Sequence, residues 1–342
     1  MAYTTINKST DYFETTTYTG GATDVSSLSF QPDFVWAKKR DGAENHGLFD
    51  AIRGATKTLS SNTTSAESTR SGSLTSFDND GWSMGGSDGI ISASGSTYVG
   101  WAWKANGTGS ANTDGNINST VSANTTSGFS IVSYTGNGTA GATIGHGLGA
   151  APKVVIVKRR SASGEWIMGH GSLGFTKFLE LNLTGGAQTS TVRFNDTAPT
   201  NQVFTVGSTA DTNQNGTTII AYCFAEKAGY SKFGSYVGNG NADGSFIYTG
   251  FKPAFVIQKN TSVTQGWQLQ DNKRLGYNPD NYLLQPHDSA AESALQRIDL
   301  LSNGFKVRTT DAGQNTSGNN YIYMAFAEAP LVGSNNVPCT AR

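Results

Sequence analysis

The sequence predicts an all-β protein built from tandem antiparallel β-sandwich units of jelly-roll type. Three observations carry that prediction. Glycine is abundant, at 42 of 342 residues, and Ser, Thr and Asn fill the intervals between short apolar runs. Aromatics make up 11% of the chain but charged residues only 14%, well under the roughly 25% of an average soluble protein. Turn formers separate runs rich in β-branched and aromatic residues, and no long segment keeps a helical period. The best helical candidate is the short stretch "DSAAESALQRI", Asp288–Ile298.

The elements repeat three times. "FQPDFVWAKKR", "GAAPKVVIVKRR" and "GFKPAFVIQKN" each hold a proline, a strand-like run and a lysine at a fixed offset. The prolines are Pro32, Pro152 and Pro253; the lysines are Lys38, Lys158 and Lys259. Runs apolar on both faces, such as "KVVIVK", suit central strands. Each unit ends on an aromatic-rich run: "TYVGWAWK", "TIIAYCFAEK" and "YIYMAFAEA". In the last, Tyr321, Tyr323 and Ala325 fall on one face, and Ile322, Met324 and Phe326 on the other. The boundaries are 1–105, 128–228 and 229–333, with a polar linker at 106–127 and a tail at 334–342. Units one and three also share Asp50 with Asp271, Arg53 with Arg274, and Glu67 with Glu292. The middle unit lacks all three.

Composition excludes several functions. A net charge of −1 gives no field to collect nucleic acid or anionic membrane. No apolar run is long enough to span a bilayer. The start "MAYTTINKSTDYF" lacks the basic and apolar regions of a signal peptide, so synthesis in a cytosol is expected. Two cysteines, Cys223 and Cys339, make no disulfide framework; Cys223 reads as a small core residue.

Candidate chemistry is sparse. "GHGLG" (Gly145–Gly149) lacks the Gly-Lys-Ser/Thr of a phosphate loop and leads into a strand. The basic clusters after each first strand read as charges that carry the chain into solvent. The four histidines, His46, His146, His170 and His287, show no metal-ligand spacing, so no metal or cofactor is expected. "FDNDGW" (Phe77–Trp82) reads as a plain turn rather than a calcium loop. Asp50–Arg53 and Asp271–Arg274 read as loop-fixing ion pairs. Glu67, Glu292 and Glu165 are glycosidase carboxylates by type only, with nothing to pair them. Trp101 and Trp103 share a strand face. Trp166 and Trp267 hold matching positions, and His46 and His170 lie in comparable loops. These four are the candidate contacts to a glycan, weighed against a plain core role.

"PDFVWAKKRD", "LFDAIRGATK", "SYTGNG", "IGHGLGAAPKVVIVKRR", "YCFAEKAGYSKFGSYVGNG" and "IDLLSNGFKVR" resemble a repeat family of tail-fibre-like, virion-surface proteins of tailed phages of marine bacteria. The resemblance covers about Met1–Val332. It implies lectin-like, concanavalin-like sandwich units. It further implies a non-enzymatic structural role in a tail fibre or appendage that contacts the host, or in a head decoration. Other virion proteins and a host surface glycan are the expected partners, and the chain is expected to associate with further copies of itself in three-fold symmetry. The alternatives are a polysaccharide-degrading tail enzyme and a free carbohydrate-binding adhesion module.

Overall fold

The computed structural model describes residues 3–278, 282–294, 297–330 and 332. The chain is all-β, with antiparallel sheets and only single turns of helix. The three repeats fold alike. In the first, the sheet order is Phe13–Thr19, Thr97–Trp103, Phe34–Lys39, Gly47–Asp50. In the third it is Ser231–Val237, Asn320–Pro330, Phe251–Asn260, Gln268–Asp271. The second has the same four at the centre of a longer sheet: Phe129–Thr135, Thr218–Phe224, Val154–Arg159, Ile167–His170. The run after each proline is thus a strand paired on both sides, as its two apolar faces require. Pro32 and Pro152 precede their strands, whereas Pro253 lies inside one, at a register shift where its missing N–H costs no ladder bond.

Two local expectations are corrected. The stretch 106–127, read as a linker, carries the strands Ser110–Asn112 and Ser119–Asn124, which extend the second repeat's sheet. An outer strand needs few apolar side chains, and here Val121 is buried while Ser119 and Ser122 hydrogen-bond to Gly145 O and Asn106 N. Asp288–Ile298 forms no helix among its described residues. Ser293 instead bridges to Leu283, and Glu292 is drawn into a contact with the first repeat. "FDNDGW" is the tip of a hairpin, where Asp78 accepts from Ser76 and Ser83.

Each main sheet buries both faces. One face closes a core private to its repeat: Val35, Phe49, Trp82 and Ala102 in the first, Val155, Phe204 and Cys223 in the second, Val256, Phe305 and Tyr323 in the third. The other faces meet in a single shared core. The strand period decides which side chain goes where. Ile322, Met324 and Phe326 enter the shared core, and Tyr321, Tyr323 and Ala325 the private one. By the same period Trp101 and Trp103 point inward. Trp103, Phe224 and Phe326, one from each repeat at equivalent positions, form a triangle with ring centroids 6.4, 5.5 and 5.7 Å apart. The residual void among the side chains of all three repeats is about 20 Å³ and lined by apolar atoms, so it stays dry.

Backbone hydrogen bonds close the three repeats into a ring. Glu67 N donates to Arg160 O at 2.8 Å, Ala187 N to Thr261 O at 2.9 Å, and Glu292 N to Arg40 O at 2.9 Å. A second set repeats the pattern: Gly164 N to Thr64 O, Gln265 N to Thr184 O, and Glu44 N to Ser289 O, at 2.8–2.9 Å. First touches second, second touches third, and third returns to first.

Because the central core belongs to all three repeats, urea unfolding followed by tryptophan fluorescence and by circular dichroism should give one coincident transition. Trp103→Ala should lower stability by about 3–5 kcal/mol and preserve that single transition. Separate transitions for the repeats would contradict the shared core.

Candidate functional site

The four side chains singled out from the sequence do not form an exposed platform. Trp166, Trp267, His46 and His170 are each at most 1% exposed. Strand register shows why. Phe34 faces Asp50, Val154 faces His170 and Phe255 faces Asp271, so His170 matches the two aspartates. Four residues earlier, His46 matches Trp166 and Trp267. The expected pairing of His46 with His170 is therefore corrected. Each member of the His46 set reaches into the preceding repeat around the ring. Trp166 Nε1 donates to Ser60 O at 2.9 Å, Trp267 Nε1 to Glu180 O at 3.1 Å, and His46 Nε2 to Gln285 O at 3.0 Å. They are bolts at the junctions. The strongly exposed aromatics among the described residues are Phe246, Tyr248 and Tyr277, all in the third repeat.

The histidines are held neutral. His46 Nδ1 accepts from Trp36 Nε1 at 2.9 Å, and His170 Nδ1 from Ser172 N at 3.1 Å, while the two Nε2 atoms face carbonyls. A second proton would point at an N–H donor. Burial depresses these imidazoles to about 3 for His46 and about 4 for His170. His146 in the glycine loop follows the same design, with Nδ1 accepting from Leu148 N and Nε2 facing Thr200 O. Gly147 and Gly149 supply the positive φ angles, 68° and 66°, that the loop requires. Cys223 is buried, which pushes its thiol up, and Cys339 lies outside the described residues.

The basic clusters do not lead into solvent. Lys38, Lys158 and Lys259 are fully buried, and burial lowers each ammonium to about 8. Lys158 Nζ donates to Thr64 O of the first repeat at 3.0 Å, and Lys259 Nζ to Thr184 O of the second at 3.2 Å. Lys38 Nζ donates to Lys39 O at 2.7 Å. The arginine two residues further on bridges repeats. Arg160 Nε donates to Glu67 at 2.9 Å, and Glu67 also meets Arg53, which is paired with the buried Asp50. Tyr222 OH caps Asp50 at 2.8 Å. Between the third and first repeats the cluster recurs, with Arg40 on Glu292 at 3.0 Å, Arg274 on Glu292 at 3.1 Å and on Asp271 at 2.6 Å, and Trp101 Nε1 on Asp271 at 3.1 Å. The Asp–Arg pairs expected from the sequence are present, as parts of larger clusters. The cross-repeat partners were missed, although a signal exists. The repeat that lost its glutamate, the second, precedes the repeat that lost its outer arginine, the third.

At that junction Leu173 replaces the inner arginine, Ala187 the glutamate and Thr261 the outer arginine. A cleft of about 200 Å³ opens there. Its walls are Ser172 and Lys177 of the second repeat and Ser235, Thr261 and Asn320 of the third, over a floor that includes the buried Ile322. Among the described residues, the side chains of Ser172, Lys177, Ser235 and Asn320 have no hydrogen-bond or ion-pair partner. The counterparts of Ser235 and Lys177 at the first junction do: Ser133 Oγ accepts from Arg160 Nη1 at 3.2 Å, and Lys57 Nζ donates to Thr69 Oγ1 at 2.6 Å. This cleft is the candidate site.

The family described as Domain of unknown function (DUF7483) matches residues 8–330. The chain belongs to that family. No curated protein and no solved structure matches it. No helix among the described residues is long and apolar enough to cross a membrane.

Two tests follow from the junction chemistry. Between the depressed native values of His46 and His170 and the ordinary value near 6.5, the unfolded chain binds more protons than the native one, so stability falls as pH drops. At pH 5 each histidine should cost about 2 kcal/mol relative to pH 7, measured by urea unfolding. His46→Gln, which keeps an acceptor and a donor, should show a shallower pH dependence. Separately, Glu292→Ala leaves two arginines without their shared carboxylate and should lower stability by about 3 kcal/mol. A loss under 1 kcal/mol would show that the cluster is dispensable.

Proposed function

We propose that the chain is a non-enzymatic structural protein on the surface of a tailed-phage virion, in a tail fibre or appendage or as a head decoration. In this reading each repeat is a lectin-like β-sandwich, a main sheet covered by its smaller partner strands. The observation that carries the structural role is the shared aromatic core, which fuses three similar units into one rigid ring with its loops at the periphery. The sequence resemblance supports the virion setting.

The chemistry of the carboxylates supports a non-enzymatic reading over the polysaccharide-cutting alternative. A glycosidase needs two carboxyl groups facing one sugar. Glu67 and Glu292 are each clamped between arginines in separate clusters, and Glu165 is hydrogen-bonded to Asn182. Three similar units form a ring inside one chain, and the reading further involves association with virion partners and with further copies of the chain.

Purified virions tested with an antibody to this chain provide the experiment. The expected result is a fixed copy number per particle and gold label confined to one part of the virion, head or tail. Release of reducing ends from host envelope glycans by the purified protein would overturn the non-enzymatic assignment. Absence from washed particles would overturn the virion assignment.

A further inference from the structure

We propose that the cleft between the second and third repeats binds a sugar acid, a single pyranose unit bearing a carboxylate. The inference rests on the cleft alone, independently of where the chain is displayed. The ring supplies its own reference state. At the other two junctions the same space is filled by two guanidinium groups around one carboxylate. At this one the three side chains are Leu173, Ala187 and Thr261, while the backbone bond Ala187 N to Thr261 O keeps the repeats at the same spacing. The junction has therefore lost its filling and kept its walls.

What remains on the walls defines the ligand. Ser172 and Ser235 offer hydroxyls, and Asn320 an amide; each can both donate and accept. All three are exposed and free of protein partners, in the manner of groups that orient a polyhydroxylated ring. Leu173, half-buried in the lining, offers an apolar side chain to the C–H face of such a ring. Lys177 is the one charged group in the lining, and no acid accompanies it. It favours a carboxylate on the ligand. At about 200 Å³ the space lies below the roughly 300–1,000 Å³ of drug-sized pockets, so it suits one ring rather than an oligosaccharide chain.

The test uses the full chain and three probes, glucuronate, glucose and acetate, followed by saturation-transfer NMR and calorimetry. Glucuronate should bind saturably, with glucose and acetate each at least tenfold weaker. Lys177→Met should weaken glucuronate at least tenfold and leave thermal unfolding unchanged. Refilling the junction with Ala187→Glu and Thr261→Arg should abolish binding while thermal stability holds or rises. If the refilled protein fails to fold, Asn320→Ala, at an exposed position, provides the second reading and should also weaken glucuronate. No saturable binding of glucuronate, equal binding of glucose, or binding that survives both Lys177→Met and Asn320→Ala would overturn the proposal.

Discussion

Trp103, Phe224 and Phe326 meet edge to face where the three main sheets converge, and the architecture depends on that contact. Each main sheet is apolar on both sides. Its private core covers only one side, so a repeat standing alone would expose a face of tryptophan, phenylalanine and tyrosine to water. Three such faces cover one another when they meet around a centre. Aromatic side chains suit this geometry because edge-to-face pairs tolerate several approach directions at once. Carrying the three units on one chain holds them at a high effective concentration and fixes their number. The small dry void shows how completely the inner faces fit.

With the centre fixed, the rim of each junction is set by polar groups of graded importance. The lysine near the end of the strand associated with each proline is the same in all three repeats, and its buried ammonium donates to backbone carbonyls. Such a group is costly to bury unless its donors are satisfied, and at two junctions a carbonyl of the neighbouring repeat helps to satisfy it. The arginine–glutamate clusters occur at two junctions only. Buried ion clusters seldom add much net stability, since desolvation offsets their attraction. Their directional value is larger. Glu67 is matched to Arg160 and Glu292 to Arg40, so each cluster recognises one neighbour and sets the order of units around the ring.

Features governed by local periodicity were legible in the sequence. The threefold repeat, the central strands, the two faces of Tyr321–Phe326 and the Asp–Arg pairs all follow from spacing along one segment. Features governed by docking were not. The lysine clusters look like strand ends entering water, because nothing within one repeat says that a second covers them. Trp166 and Trp267 fit both a core and a sugar platform for the same reason. The stretch 106–127 misled in another way. Its polarity matches a linker, yet an outer strand can be written in serine, threonine, asparagine, alanine and a single valine. His46 and His170 were aligned by residue type, whereas strand register aligns position with position and separates them.

A ring of three near-copies offers its own control for telling scaffold from site. A polar group present at all three junctions, such as the buried lysine, answers to the geometry common to them. A group present at two and compensated within each, such as glutamate between arginines, answers to pairing. Neither needs a ligand to explain it. What stands out is a set of unpartnered polar side chains, two of which, Ser235 and Lys177, have counterparts at the first junction that are satisfied. Ser235 faces no guanidinium where Ser133 accepts one, and Lys177 has no acceptor where Lys57 has Thr69. The loss of Asp, Arg, Glu and Arg at one junction, where His170, Leu173, Ala187 and Thr261 stand instead, removes four mutually dependent charges together, which leaves no orphan charge behind and so carries little desolvation cost. That is the cheapest way for such a ring to open a polar cleft without loosening its core, and it places the chain's capacity to bind at the junction where the repeats differ most.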